Sequence, residues 1–122
     1  MQILSNKKYL ATLVTFFICI VVDVSSHQVP EMKYKRLYPR GFEVVMADAP
    51  GMELFAFHGK LNQQMIGLEA GTYSRDIRHK ESKGWVFRDN TTLLKKGDII
   101  YCWVYVLKYG LGYQKEYIYL KF

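Results

Sequence analysis

Asp98-Ile99-Ile100-Tyr101-Cys102-Trp103-Val104-Tyr105-Val106-Leu107-Lys108 is the stretch that decides the fold. Side chains of a β-strand alternate between two faces, so Ile100, Cys102, Val104 and Val106 share one side and Tyr101, Trp103 and Tyr105 the other. One side is small and aliphatic, fit for a core. The other is a row of rings about 6.6 Å apart, from a rise of ~3.3 Å per residue. Rings that join a broad apolar body to a hydrogen-bonding tip suit stacking on the apolar faces of sugars. They also have high strand propensity, so an aromatic side that serves packing alone is the competing explanation.

Working outward, other short apolar runs are separated by turn residues at the spacing of an antiparallel sandwich. Phe42 to Met46 reads as a strand closed by the turn Asp48-Ala49-Pro50-Gly51. Met52 to His58 follows and is apolar on both faces, which predicts a central strand. His58, beside Gly59 at its end, reads as a satisfied structural group. Gln63 to Leu68 is expected to form a short helical turn. Thr72 to Arg78 alternates Tyr73, Arg75 and Ile77 against Thr72, Ser74 and Asp76, and is expected to form a hairpin with Trp85-Val86-Phe87. Gly110 to Tyr113 is a glycine-rich turn, and Tyr117 to Phe122 a terminal strand setting Ile118, Leu120 and Phe122 against Tyr117, Tyr119 and Lys121. The fold class is all-β, an antiparallel sandwich.

Toward the N-terminus the texture changes. Lys7 and Lys8 precede an unbroken apolar run of 14 residues from Tyr9 to Val22, and Val24-Ser25-Ser26 has the residues a signal peptidase prefers. As a helix the run would span ~21 Å, short of a ~30 Å hydrocarbon core. Residues 1–26 are therefore read as a signal peptide, and the protein as secreted and extracellular, with no membrane span after cleavage. Residues 27–38 are read as an extended N-terminal arm and 39–122 as the folded module. Removing Lys7, Lys8 and Asp23 takes the formal charge from +6 to +5. The remaining basic residues are scattered rather than striped, which argues against nucleic acid as a partner and leaves weak attraction to acidic surfaces.

Of Cys19 and Cys102, only the second survives the cut, so no internal disulfide forms and the apolar core must carry stability. Zinc-ligand spacing, a phosphate loop and a Gly-x-Ser-x-Gly elbow are all missing, and no cofactor is expected. Glu69 and Asp76 are carboxylates of the type a glycosidase uses, but so short a chain has little material for a cleft, and no enzymatic activity is expected. Asn90-Thr91-Thr92 is a glycosylation sequon, making Asn90 a candidate N-glycan site.

The runs LFAFHGKLNQQMIGLEAGTYSRDI (54–77), GWVFRDN (84–90) and KKGDIIYCWVYVLKYGLGYQ (95–114) resemble, in order and spacing, the N-terminal glucan-binding module of the insect β-1,3-glucan recognition proteins, also called Gram-negative bacteria-binding proteins. The resemblance implies an immunoglobulin-like sandwich that recognises β-1,3-glucan of fungal walls in innate immunity, with other immune-recognition proteins as further partners. Members usually carry a glucanase-like C-terminal domain, and a stand-alone recognition module is expected here. In the family, glucan is held by a strand tryptophan, by the aspartate of Ser-Arg-Asp and by an arginine after Gly-Leu-Gly-Tyr. The first two match Trp103 and Asp76, while the third is Gln114. Tyr73 stands where the family has tryptophan, and Tyr109 where it has aspartate. The candidate site is then Tyr101, Trp103 and Tyr105 for stacking, with Asp76, Arg75 and Gln114 for hydrogen bonds and Tyr73 beside them. The three departures motivate the alternative of a module that keeps the fold as a decoy or protein-interaction surface. The +5 charge motivates a third, salt-sensitive attachment to bacterial surfaces.

Overall fold

A computed structural model describes residues 28–122. The leader lies outside them. Seven strands follow one another: β1 (Met32–Arg36), β2 (Phe42–Met46), β3 (Met52–Leu61), β4 (Tyr73–Ile77), β5 (Trp85–Asp89), β6 (Ile99–Lys108) and β7 (Leu111–Lys121). They form two antiparallel sheets, ordered β1-β2-β5 and β4-β3-β6-β7, packed as a β-sandwich. The fold is immunoglobulin-like, but the fourth strand lies beside the third instead of beside the fifth as in a constant-type domain.

The period-two reading of β6 holds along its length. Ile100, Cys102, Val104 and Val106 are buried, and Tyr101, Trp103 and Tyr105 are partly exposed. The aliphatic row meets Phe55 and Phe57 of β3, Phe42, Val44 and Met46 of β2, and Phe87 of β5 in a single core. At its centre the Phe57 and Phe87 rings, one from each sheet, are 4.5 Å apart, and Phe42 sits 5.6 Å from Phe87 and 5.0 Å from Tyr73. Burying one such side chain stabilises the fold by roughly 1.5–3 kcal/mol, so this cross-sheet cluster stands in for the disulfide that many domains of this size use. Cys102 is a free thiol inside it, and burial pushes its pKa up to about 12, which leaves it unreactive.

Three local expectations are corrected. Tyr73–Ile77 and Trp85–Asp89 are not hairpin partners, because β4 pairs with β3 and β5 with β2, and the chain between them crosses from one sheet to the other. Gln63 to Leu68 forms bends and a turn rather than a helical turn; the Ile66 amide donates to Glu69 Oε2 at 2.6 Å, closing the turn through a side chain. Two residues, Tyr109 (φ 50°) and Gly110 (φ 75°), make the β6–β7 turn, and β7 already begins at Leu111. Left-handed conformation at both positions is the type I′ geometry that matches strand twist.

The segment read as an arm contains β1. Its Lys33 and Lys35 lie opposite Val45 and Glu43 on the outer side, and Tyr34 packs edge-on against Phe122 at 5.3 Å. Charged residues on an exposed sheet edge also discourage edge-to-edge pairing. Glu43, only 3 % exposed, lies beneath the basic residues of this outer face. Lys83 donates to it at 2.7 Å and Arg88 at 3.0 Å, and Arg88 also grips Glu81.

Burial raises the Glu43 pKa, but hydrogen bonds from Lys83 and Arg88 and their charges outweigh that, so the net shift is downward. The ion pairs therefore contribute fully above the ordinary carboxylate value of ~4.3 and are lost as pH falls through the lower folded-state value. Glu43→Gln is expected to cost about 1–2 kcal/mol at neutral pH, since both cations are half-exposed. Thermal melts from pH 7 to pH 3 should fall more steeply for the parent than for Glu43→Gln; parallel curves would show that Glu43 is not the acid-sensitive group.

Candidate carbohydrate-binding face

The outer face of β4-β3-β6-β7 is assembled by register. Pairing of Asp76 with Ala56, Ala56 with Tyr105 and Tyr105 with Gln114 lays one row across all four strands. Three strand spacings of ~4.8 Å put the backbones of Asp76 and Gln114 about 14 Å apart, with the small Ala56 between. The next row is Ser74, His58 and Trp103, and the one after it Lys60, Tyr101 and Tyr119. Five expected residues, Asp76, Tyr101, Trp103, Tyr105 and Gln114, thus share one surface.

Trp103 is held from two directions. The His58 ring stacks on it, centroids 4.3 Å apart and planes 15° from parallel, and the indole Nε1 donates to the Glu69 carbonyl at 2.8 Å. Trp103 therefore offers a ring rather than a free N–H donor. The segment 62–71 is tied across the sheet by that bond, by His58 Nδ1 against the Ala70 carbonyl at 3.0 Å, and by the Lys60–Glu69 ion pair at 2.8 Å. The Lys60 hydrogen bond, with help from the Ile66 amide, holds the Glu69 carboxyl below its usual range. His58, expected to be structural, is a satisfied group and also the support of the tryptophan. Its even position in Met52 to His58 was the signal; which residue it faces was not.

Asp76 is half-exposed, with Arg78 3.5 Å away. Arg78 follows Asp76 by two positions, so a guanidinium reaches this side that the sequence reading did not select. Gln114 is exposed, and its amide donates to Glu116 at 2.9 Å. The tip of Tyr105 reaches toward Gly112, where an added Cβ would run into the Tyr105 hydroxyl and ring. Tyr101 meets Tyr119 edge-on at 5.2 Å.

Tyr73 and Arg75 are not brought to this face. The Tyr73 ring packs on Phe42 and its hydroxyl meets Thr92 Oγ1 at 2.9 Å, with burial raising its pKa. Arg75 lies over the Phe87 ring at 4.9 Å and donates to the Arg88 carbonyl. Strand neighbours point to opposite sides, so Arg75 and Asp76 could not both serve one surface. Asn90 is exposed in the loop after β5, beyond the other sheet, where the Asp89 carboxylate accepts the amides of Thr91 and Thr92. Burial opposes ionisation of Asp89, but those bonds win and its pKa is lowered.

A two-layered sandwich that displays rings and hydrogen-bonding side chains along one sheet has the build of a small carbohydrate-binding module. A family model, CBM39, described as "Carbohydrate binding domain (family 32)", matches residues 28–118, and the chain belongs to that family. It is 50% identical over 97 residues to Gram-negative bacteria-binding protein 3 of Drosophila melanogaster, covering 80% of this chain and 20% of that protein. It is 47% identical over 108 residues to beta-1,3-glucan-binding protein 1 of Galleria mellonella, with 88% and 22% covered. To beta-1,3-glucan-binding protein 1 of Manduca sexta it is 48% identical over 103 residues, with 84% and 21% covered. The chain thus spans about a fifth of the length of these relatives.

Gly112→Ala should push the Tyr105 ring aside at a cost of about 1 kcal/mol, the low end for overpacking, because what must move is the far end of a side chain. Aromatic NMR resonances of Tyr105 should shift while the sheet signature in circular dichroism stays; an unmoved Tyr105 ring would contradict the contact.

Proposed function

We propose that the chain is a secreted pattern-recognition module that binds β-1,3-glucan of fungal and other microbial walls in insect innate immunity, without catalysis. The observation that carries this reading is that Asp76, Trp103, Tyr105 and Gln114 fall on one outer face of a chain whose relatives are named for β-1,3-glucan binding. Tyr105 and Trp103 provide stacking surface, and Asp76 accepts from sugar hydroxyls while Gln114 both accepts and donates. An open sheet face makes many weak contacts. Affinity then comes from long glucans on which several modules engage at raised effective concentration. The apolar leader supports export to the extracellular space, where the polysaccharide is met.

A second reading, a fold-retaining decoy or a surface for other immune-recognition proteins, is favoured by Gln114 in the place of the arginine. An amide lacks the charged planar fork of a guanidinium, and this one already donates to Glu116.

The mature protein is expected to sediment with insoluble β-1,3-glucan at physiological salt, and Trp103→Ala and Asp76→Ala to do so at least about ten-fold more weakly, a loss of ~1.4 kcal/mol or more. Equal retention of the variants would remove this face from the site. No retention of the parent, together with capture of a protein partner, would favour the second reading.

A further inference from the structure

Asp76 and Arg78 form a charged pair that is not closed. Among the described residues, Glu69, Asp48, Glu43 and Glu81 hold a cation at 2.8, 2.6, 2.7 and 3.0 Å, all within hydrogen-bond reach. Arg78 Nη2 stands 3.5 Å from Asp76 Oδ2, beyond the ~3.2 Å limit of a good N–H···O bond, and both side chains are more than half-exposed. The two charges balance each other, yet their donors and acceptors are not spent on one another.

Most other polar groups of this face are committed. The Trp103 N–H is on the Glu69 carbonyl, His58 Nδ1 meets the Ala70 carbonyl and Ser74 Oγ, Lys60 grips Glu69, and the Gln114 amide nitrogen donates to Glu116. Hydrogen-bonding capacity that a ligand can use without first breaking a bond within the protein is therefore concentrated at β4. That strand is the edge of its sheet, and Arg78 follows Asp76 by two positions, about 6.6 Å along an extended chain.

A sugar hydroxyl is both a donor and an acceptor. A carboxylate beside a guanidinium answers both functions: Asp76 accepts the hydroxyl proton while Arg78 donates to its oxygen, each bond strengthened by charge. Gln114, at the other end of the row, offers the same two functions without charge. We propose that Arg78 contacts the glucan and, with Asp76, is the principal polar anchor of the face, so that the bound chain is gripped at β4 and runs over Ala56 and the Tyr105 ring toward β7. The proposal rests on the glucan reading and supplies, from the opposite edge of the sheet, the guanidinium that Gln114 lacks.

The test compares the parent with Arg78→Ala, Arg78→Lys and Gln114→Ala by isothermal titration calorimetry with soluble linear β-1,3-glucan, at low and at physiological salt. Arg78 lies exposed beyond the end of β4, so thermal melts of its variants should coincide with that of the parent. Arg78→Ala should weaken binding about five- to ten-fold, ~1.4 kcal/mol at most, and do so at both salt concentrations, because a bond to a neutral hydroxyl is not screened as attraction between ions is. Arg78→Lys should recover part of the loss, since an ammonium donates but lacks the planar fork. Gln114→Ala should lose less than Arg78→Ala. Binding by Arg78→Ala as tight as the parent's, or tighter, would overturn the inference and leave Arg78 only a counter-charge to Asp76. A loss that vanishes at physiological salt would overturn it equally, and a larger loss in Gln114→Ala would move the anchor to β7. None of these outcomes touches the glucan reading, which falls, and this inference with it, only if the parent fails to bind.

Discussion

Burial of the aliphatic side of β6 against the phenylalanines of β2, β3 and β5 is the constraint on which the rest of the molecule depends. Once Ile100, Cys102, Val104 and Val106 are committed to the interior, the pleat sends Tyr101, Trp103 and Tyr105 outward with no freedom to choose. A slip of one residue would exchange the two rows, exposing four apolar side chains and burying rings whose polar tips need partners. Core and candidate binding face are thus two consequences of one register.

Register alone does not finish the surface. In a regular strand Gln114 and Tyr119, an odd number of positions apart, would point to opposite sides. The bulge at Glu116 and Tyr117 restores the phase, so that Gln114 joins the row of Tyr105 and Tyr119 that of Tyr101. Segment 62–71 then crosses the sheet and takes the Trp103 N–H, and His58 covers part of the indole. The aromatic row becomes two regions sharing one tryptophan: an open stretch around Tyr105 and a narrow pocket beside Tyr101. The opposite sheet is of another kind, its outer side holding Lys33, Lys35, Lys83 and Arg88 around a buried Glu43. Pairing of Lys60 with Glu69 and of Arg78 with Asp76 balances charge on the first sheet, whereas basic residues dominate the outer side of the second.

Most strands were legible because their apolar alternation has no other use. β2, β3, β5 and β6 were visible as strands, and the all-β class followed. β1 was hidden because an edge strand needs only one apolar side, and Lys33 and Lys35 between Met32 and Tyr34 look like polar linker. The supposed hairpin of β4 and β5 failed for a different reason: a polar connection says that the chain turns, not whether the returning strand joins its own sheet or the facing one. On the candidate face, Asp76 was named through the family resemblance, Trp103 through both the resemblance and alternation, and Tyr101 and Tyr105 through alternation. Arg75 was named with Asp76 although the two are strand neighbours, and adjacency on a strand means the opposite face.

What the sequence determined by itself is therefore everything that repeats with a period of two: the class of fold, the content of the core and the ring-bearing side of β6. Tertiary structure decided which strands are neighbours, that Tyr73 packs on Phe42 and Arg75 over Phe87, that His58 stacks on Trp103, and that a bulge places Tyr117 near Tyr101 and Tyr119. The physical reason is that alternation is a local property of the pleated backbone. Cross-strand rows and side-chain stacks arise only from pairings between residues distant in the chain, and the packing of the whole sandwich selects those pairings.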